Sequence, residues 1–79
     1  MWIRTLDDNA LVNIETGACI YKKKSGAWYD IIFSKSEFAT IELASFPSEK
    51  ERNNAFDTLE RQIKNKADFF QFTENEEEK

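Results

Sequence analysis

The chain has 79 residues, of which 41% are hydrophobic and 14% aromatic, and its net charge is −4 at pH 7. This length predicts one small domain, whose core can be filled by few large side chains because seven Phe, two Trp and two Tyr are present. The acidic balance disfavours nucleic acid and anionic membrane as main partners, since both carry negative charge. The chain contains no His and a single cysteine, Cys19, which excludes an internal disulfide and a Cys–His pair.

The first residues, Met1 to Asp8, contain neither a basic region nor a long apolar run. We therefore expect no signal peptide and no transmembrane segment, and we expect a cytoplasmic location. Cys19 lies within an apolar run. This position predicts a small buried or half-buried core residue in a reducing compartment rather than a reactive thiol.

Five segments alternate between apolar and polar residues with the two-residue period of β-strands. Their predicted bounds are about 1–6, 11–14, 18–24, 27–34 and 38–46. Turn residues separate these segments, and Ser25-Gly26 in particular favours a tight hairpin turn. The first two segments are short, and they also fit one bent strand or a bulged hairpin.

The clearest predicted element is a helix over residues 48–67. Its apolar residues recur at the three- and four-residue steps that align one helix face; they are Ala55, Phe56, Leu59, Ile63 and Ala67. Ser48 and Glu51 have the spacing of a capping box, which predicts where the helix begins.

The segment Phe69–Phe72 after this helix fits two interpretations. Phe70 continues the apolar helix face, whereas Phe70 and Phe72 together fit a further strand. Residues 74–79 have the composition of a disordered acidic tail. The elements together predict one α+β domain over residues 1–73, an antiparallel meander of four or five strands covered on one face by a single helix.

Three stretches give the chain a familiar pattern: Met1-Trp-Ile-Arg-Thr-Leu-Asp, Leu11-Val12-Asn13, and Ser48-x-x-Glu followed by Ala55, Leu59 and Ile63. This pattern resembles a loose group of small proteins from low-GC Gram-positive bacteria and their mobile elements. The resemblance spans residues 1 to about 63 and rests on residues that determine the fold. It implies a meander followed by one helix, and it implies no catalytic residue because no activity is assigned to the group.

No motif in the chain points to catalysis or to a cofactor, metal ion or small-molecule substrate. Nucleophilic catalysis needs a Ser or Cys beside a base, and no imidazole is present. Asp7-Asp8-Asn9 lacks the spacing and the glycine of a calcium loop. Asp30 and Glu42 are expected to meet across adjacent strands, where an exposed sheet face explains them more simply than acid–base chemistry. We therefore expect a protein that is not an enzyme.

The predicted sheet is wider than the helix that covers it, which favours a partner. A helix is about 10–12 Å wide, whereas five strands about 4.8 Å apart span more than about 19 Å. The part of the sheet that the helix leaves open must then be covered by the Phe69–Phe72 segment, by sheet curvature or by a second chain. Exposed aromatic clusters usually mark interfaces, so we predict an interaction module that forms a homodimer or binds another protein. The candidate contacts are Trp2, Trp28, Ile32, Phe69, Phe70 and Phe72.

Two alternatives stay open. A nucleic-acid accessory factor would use basic residues around the lysine run that lies beside Trp28, and these residues are Arg4, Lys22, Lys23, Lys24 and Lys35. Three lysines near a hairpin tip also serve to keep a sheet edge unpaired. An inhibitor that mimics nucleic acid would use the acidic tail at residues 74–79.

Overall fold

The structure is a computed structural model that describes residues 1–7, 10–14, 19–36 and 39–72. Its elements are, in chain order, β1 (Trp2–Arg4), β2 (Leu11–Asn13), β3 (Cys19–Ser25), β4 (Trp28–Ser36), β5 (Ala39–Phe46), α1 (Glu49–Lys64) and β6 (Phe69–Gln71). The predicted α+β class is confirmed. Within these described ranges, no helix has the length and apolarity needed to cross a membrane.

The strands form two three-stranded sheets instead of one meander of four or five strands. The first sheet has the order β2-β1-β6 and the second the order β3-β4-β5. β1 is antiparallel to β2 and parallel to β6, whereas all pairs in the second sheet are antiparallel. The chain turns back after β1 because the Thr5 N–H donates to the Ala10 carbonyl at 3.0 Å. One further backbone bond, from the Leu6 N–H to the Leu43 carbonyl at 2.9 Å, joins the first sheet's turn to β5.

The tight turn predicted at Ser25-Gly26 is confirmed. Ser25 and Trp28 pair across a two-residue loop, and Gly26 has a φ of +60°. A glycine with positive φ at the first loop position matches the turn type that suits the twist of an antiparallel hairpin. This turn sets the register in which β3 lies beside β4.

The helix α1 begins as predicted and ends earlier. The Glu51 N–H donates to Ser48 Oγ at 3.2 Å, so Ser48 caps the helix. The predicted end at Ala67 was wrong, because Lys66 takes a left-handed conformation with a φ of 59° and the helix ends at Lys64. The Ala67 N–H then donates back to the Gln62 carbonyl at 3.1 Å. This reversal directs the chain into β6.

The core lies between α1 and the two sheets. Its largest fully buried side chains are Ile3, Ile31, Leu43 and Leu59. Phe70 and Phe72 join this core, with ring centroids 4.9 Å apart and planes at 85°. The strand β6 (Phe69–Gln71) and Phe72 after it therefore complete the cover of the core from within the chain. Phe70 is 9% exposed and Phe72 4% exposed, which removes both from the set of surface contacts that the sequence predicts.

Arg52 fixes the helix to the second sheet, a role that the sequence pattern did not reveal. This residue is buried, and the centre of its guanidinium lies 5.3 Å from the ring of Tyr29. It also donates to the Lys23 carbonyl at 3.4 Å and lies 3.6 Å from the carboxylate of Glu49. The guanidinium thus links α1 to the hairpin of β3 and β4.

Candidate interaction surfaces

One side of the first sheet faces away from the core and carries large apolar side chains. The side chains that point into the core are Ile3, Val12 and Phe70. The neighbouring positions point outward, and the exposed fractions are 49% for Trp2, 51% for Leu11 and 49% for Phe69. We name this surface the outer face and define it by Trp2, Leu11 and Phe69.

The strand register makes the outer face continuous. Trp2 pairs with Phe69 on β6, so their side chains are neighbours on the same side of the sheet. Leu11 pairs with Arg4, which lies two residues after Trp2 on β1 and therefore on the same side of the sheet. Trp2 and Phe69 are both candidate contacts predicted from the sequence, and the fold brings these two together from opposite ends of the chain.

The second sheet has a face on the side opposite to α1. Because Ile31 and Phe33 point into the core, the alternate residues of β4 and their partners point the other way. We name this surface the reverse face and define it by Tyr21, Trp28, Asp30, Ile32, Glu42 and Ser45. Trp28 is 51% exposed. Ile32 is buried between its neighbours, so Trp28 contributes most of the accessible apolar surface.

The reverse face carries the carboxylates of Asp30 and Glu42. Glu42 is exposed, whereas Asp30 is 4% exposed, so the exposed position expected for Asp30 is wrong. Asp30 accepts a hydrogen bond from Ser45 Oγ at 2.7 Å. Partial burial raises the pKa of Glu42 above its ordinary value, and the negative charges of Asp30 and Asp7 raise it further. Neither Asp30 nor Glu42 forms a salt bridge with any side chain that the structure describes.

A depression of about 210 Å³ lies beside Glu42. Its polar lining comes from Asp7, Glu42 and Ser45, and the rest comes from residues 6, 43 and 44. In the described part of the chain, no group of three or more acidic, Cys or His side chains is arranged to hold a metal ion. The depression is an anionic recess, because two of its lining side chains are the carboxylates of Asp7 and Glu42.

The lysine run does not form one basic surface. Lys22 and Lys24 lie on the helix side of β3, where their ammonium groups are 5.0 Å from the Phe56 ring and 5.2 Å from the Tyr29 ring. Lys23 lies on the opposite side of β3, directly across from Asp30 in the strand register. The remaining predicted basic contacts are apart from these lysines in the fold, since Arg4 lies on the first sheet and Lys35 near the end of β4.

Two apolar residues are more exposed than the sequence predicts. Cys19 is exposed rather than buried, because it lies on the edge strand β3, across from Ser34, on the side of the sheet away from the core. Ile63 is 43% exposed and borders an apolar groove of about 390 Å³ between α1 and the strands β2 and β3. The side chains that line this groove are Ile14, Ile20, Phe56, Leu59, Glu60 and Ile63.

Comparisons with known proteins add no further constraint. No protein family matches the chain, and neither a curated protein nor a solved structure matches it. The resemblance to small proteins of Gram-positive bacteria stays a prediction from the sequence. The functional interpretation of the two faces therefore depends on their geometry and chemistry.

Proposed function

We propose that this protein is a non-enzymatic interaction module that self-associates as a homodimer through the outer face. The supporting observation is that Trp2, Leu11 and Phe69, each about half exposed, lie together on one sheet face. Contiguous exposed apolar surface usually marks an interaction site, and aromatic residues supply much of the energy at such sites. We place the protein in the cytoplasm, in agreement with its unpaired Cys19.

The charge of the outer face is compatible with self-pairing. The strand residues that point outward beside the apolar trio are Arg4, Asn13 and Gln71. A twofold arrangement brings the same surface of both copies together. It allows Arg4 of one copy to lie over an aromatic ring of the other, which favours the pair through a cation–π contact.

The available area indicates a weak dimer. Half-exposed Trp2 and Phe69 each present about 100 Å² and Leu11 about 50 Å², which is about 250 Å² on each copy. Burial of both copies contributes about 12 kcal/mol at about 25 cal/mol per Å². Association costs about 4–15 kcal/mol. The difference therefore ranges from about 8 kcal/mol in favour of the dimer, a dissociation constant of about a micromolar, to no net association. Because about 500 Å² in total is well below the roughly 1,200–2,000 Å² of stable complexes, we expect a dimer in the weak part of this range.

Sedimentation equilibrium over about 10 µM to 1 mM protein tests the proposal, since a weak dimer becomes populated in this range of concentration. We expect the apparent mass to rise from 9.3 kDa toward twice that value. We expect the double variant Trp2→Thr/Phe69→Thr to stay at the mass of one chain, because threonine keeps strand propensity while it removes both rings. A wild-type chain that remains at 9.3 kDa at the highest concentration would overturn the proposal.

A further inference from the structure

The reverse face differs from the outer face in composition. It combines the exposed rings of Trp28 and Tyr21 with the carboxylates of Asp30 and Glu42. The helix α1 packs on the opposite side of the same sheet, where Leu59 is buried in the core. The exposed carboxylate of Glu42, which forms no salt bridge among the described residues, lies on the same face as these aromatic rings. Such a combination favours ligands that present a cation next to an apolar group.

The negative charge of this face is incompletely balanced. Lys23 pairs with Asp30 in the strand register, yet its ammonium forms no salt bridge to Asp30 or Glu42 among the described residues. Asp7, at the depression beside Glu42, already accepts a hydrogen bond from Thr5 Oγ1 at 2.7 Å. Glu42 is therefore the carboxylate with most to gain from an incoming cation.

We propose that the reverse face docks a basic segment of a partner protein. A lysine or arginine of that segment enters the depression lined by Asp7, Glu42 and Ser45, and an adjacent apolar side chain packs on Trp28. Charge complementarity selects this partner, because a phosphate backbone or an acidic segment would be repelled by the same carboxylates. The inference does not rest on self-association through the outer face.

An NMR titration tests this docking with the intact, ¹⁵N-labelled chain. The probe is an extended octapeptide in which arginine alternates with leucine and threonine, and the control probe has glutamate in place of each arginine. The two indole N–H groups report separately on the two faces, since Trp28 lies on the reverse face and Trp2 on the outer face. We expect the basic peptide to shift the Trp28 signal and the β4 and β5 amides, while Trp2 stays unchanged.

Variants separate a docking site from general charge attraction. We expect Glu42→Gln to weaken binding of the basic peptide about three- to fivefold, as for a partly exposed ion pair. Trp28→Thr is expected to weaken it about tenfold. The matched control Asp57→Asn removes the same charge from an exposed position on α1 and should leave the affinity unchanged.

Three outcomes would overturn the inference: equal binding of the acidic peptide, an equal effect of Asp57→Asn and Glu42→Gln, or no Trp28 shift at about millimolar peptide. The titration is repeated on the Trp2→Thr/Phe69→Thr variant. Retained binding by a single chain supports the inference whether or not the outer face associates, so the two proposals fail independently.

Discussion

The substitution Trp2→Thr tests the role of the outer face most sharply, because the chain supplies its own control. Trp2 and Trp28 are 49% and 51% exposed and lie on different sheets. Replacement of Trp2 by threonine removes about 60 Å² of apolar contact from each copy, or about 3 kcal/mol per dimer. We therefore expect the dissociation constant of the dimer to rise about a hundredfold.

Sedimentation equilibrium measures this change directly. We expect the Trp2→Thr chain to remain at 9.3 kDa where the wild type is partly dimeric, and Trp28→Thr to associate like the wild type. Urea unfolding of both variants verifies that each is folded. The outer face is not the dimer interface if Trp28→Thr abolishes association as strongly as Trp2→Thr, or if Trp2→Thr leaves the association unchanged.

The remaining predictions concern stability. Leu59 is 1% exposed, whereas Ile63 is 43% exposed. In urea unfolding we therefore expect Leu59→Ala to lower the free energy of unfolding by about 2–5 kcal/mol and Ile63→Ala by less than about 1.5 kcal/mol. Equal losses would contradict the packing described for α1. Lys66→Gly is expected to raise the free energy of unfolding by about 0.5–1 kcal/mol, because glycine adopts the left-handed conformation without strain; a decrease would argue against that helix end. The fold raises the pKa of Glu42 above 4.5, so its stabilising contribution is present below that pH and is lost as the pH rises through the raised pKa. Glu42→Gln should therefore be more stable than the wild type at pH 7 and lose this advantage below pH 4.5, and an equal difference at both pH values would contradict the raised pKa.

The sequence predicts local structure here better than strand pairing. The start of α1 follows from a capping interaction between Ser48 and Glu51, two residues that are close in the chain. Its end could not be predicted, because the left-handed residue is Lys66 rather than the glycine that usually marks this position. Alternation identified the strand faces, yet it carries no information on which strand lies beside which. The parallel pair of β1 and β6 was missed for this reason.

For the candidate surfaces, too, the sequence predicts local features but not strand pairing. Alternation places Trp2 outward from the sequence alone, but its neighbour Phe69 becomes evident only from the register of β1 with β6. The segment Phe69–Phe72 was compatible with a helix or a strand, and only the strand separates exposed Phe69 from buried Phe70 and Phe72. The expectation that the Phe69–Phe72 segment, sheet curvature or a second chain must complete the cover was based on one wide sheet. Two smaller sheets enclose the core, so self-association is proposed from the exposed rings instead.

Fluorescence of a chain with one tryptophan tests the central proposal most directly. The variant Trp28→Phe leaves Trp2 as the sole indole, and its emission reports whether that ring leaves water. We expect the emission to move to shorter wavelength as the concentration rises from about 10 µM to 1 mM, in step with the apparent mass. A mass that doubles while the Trp2 emission stays constant would show that the chains associate through a surface other than the outer face.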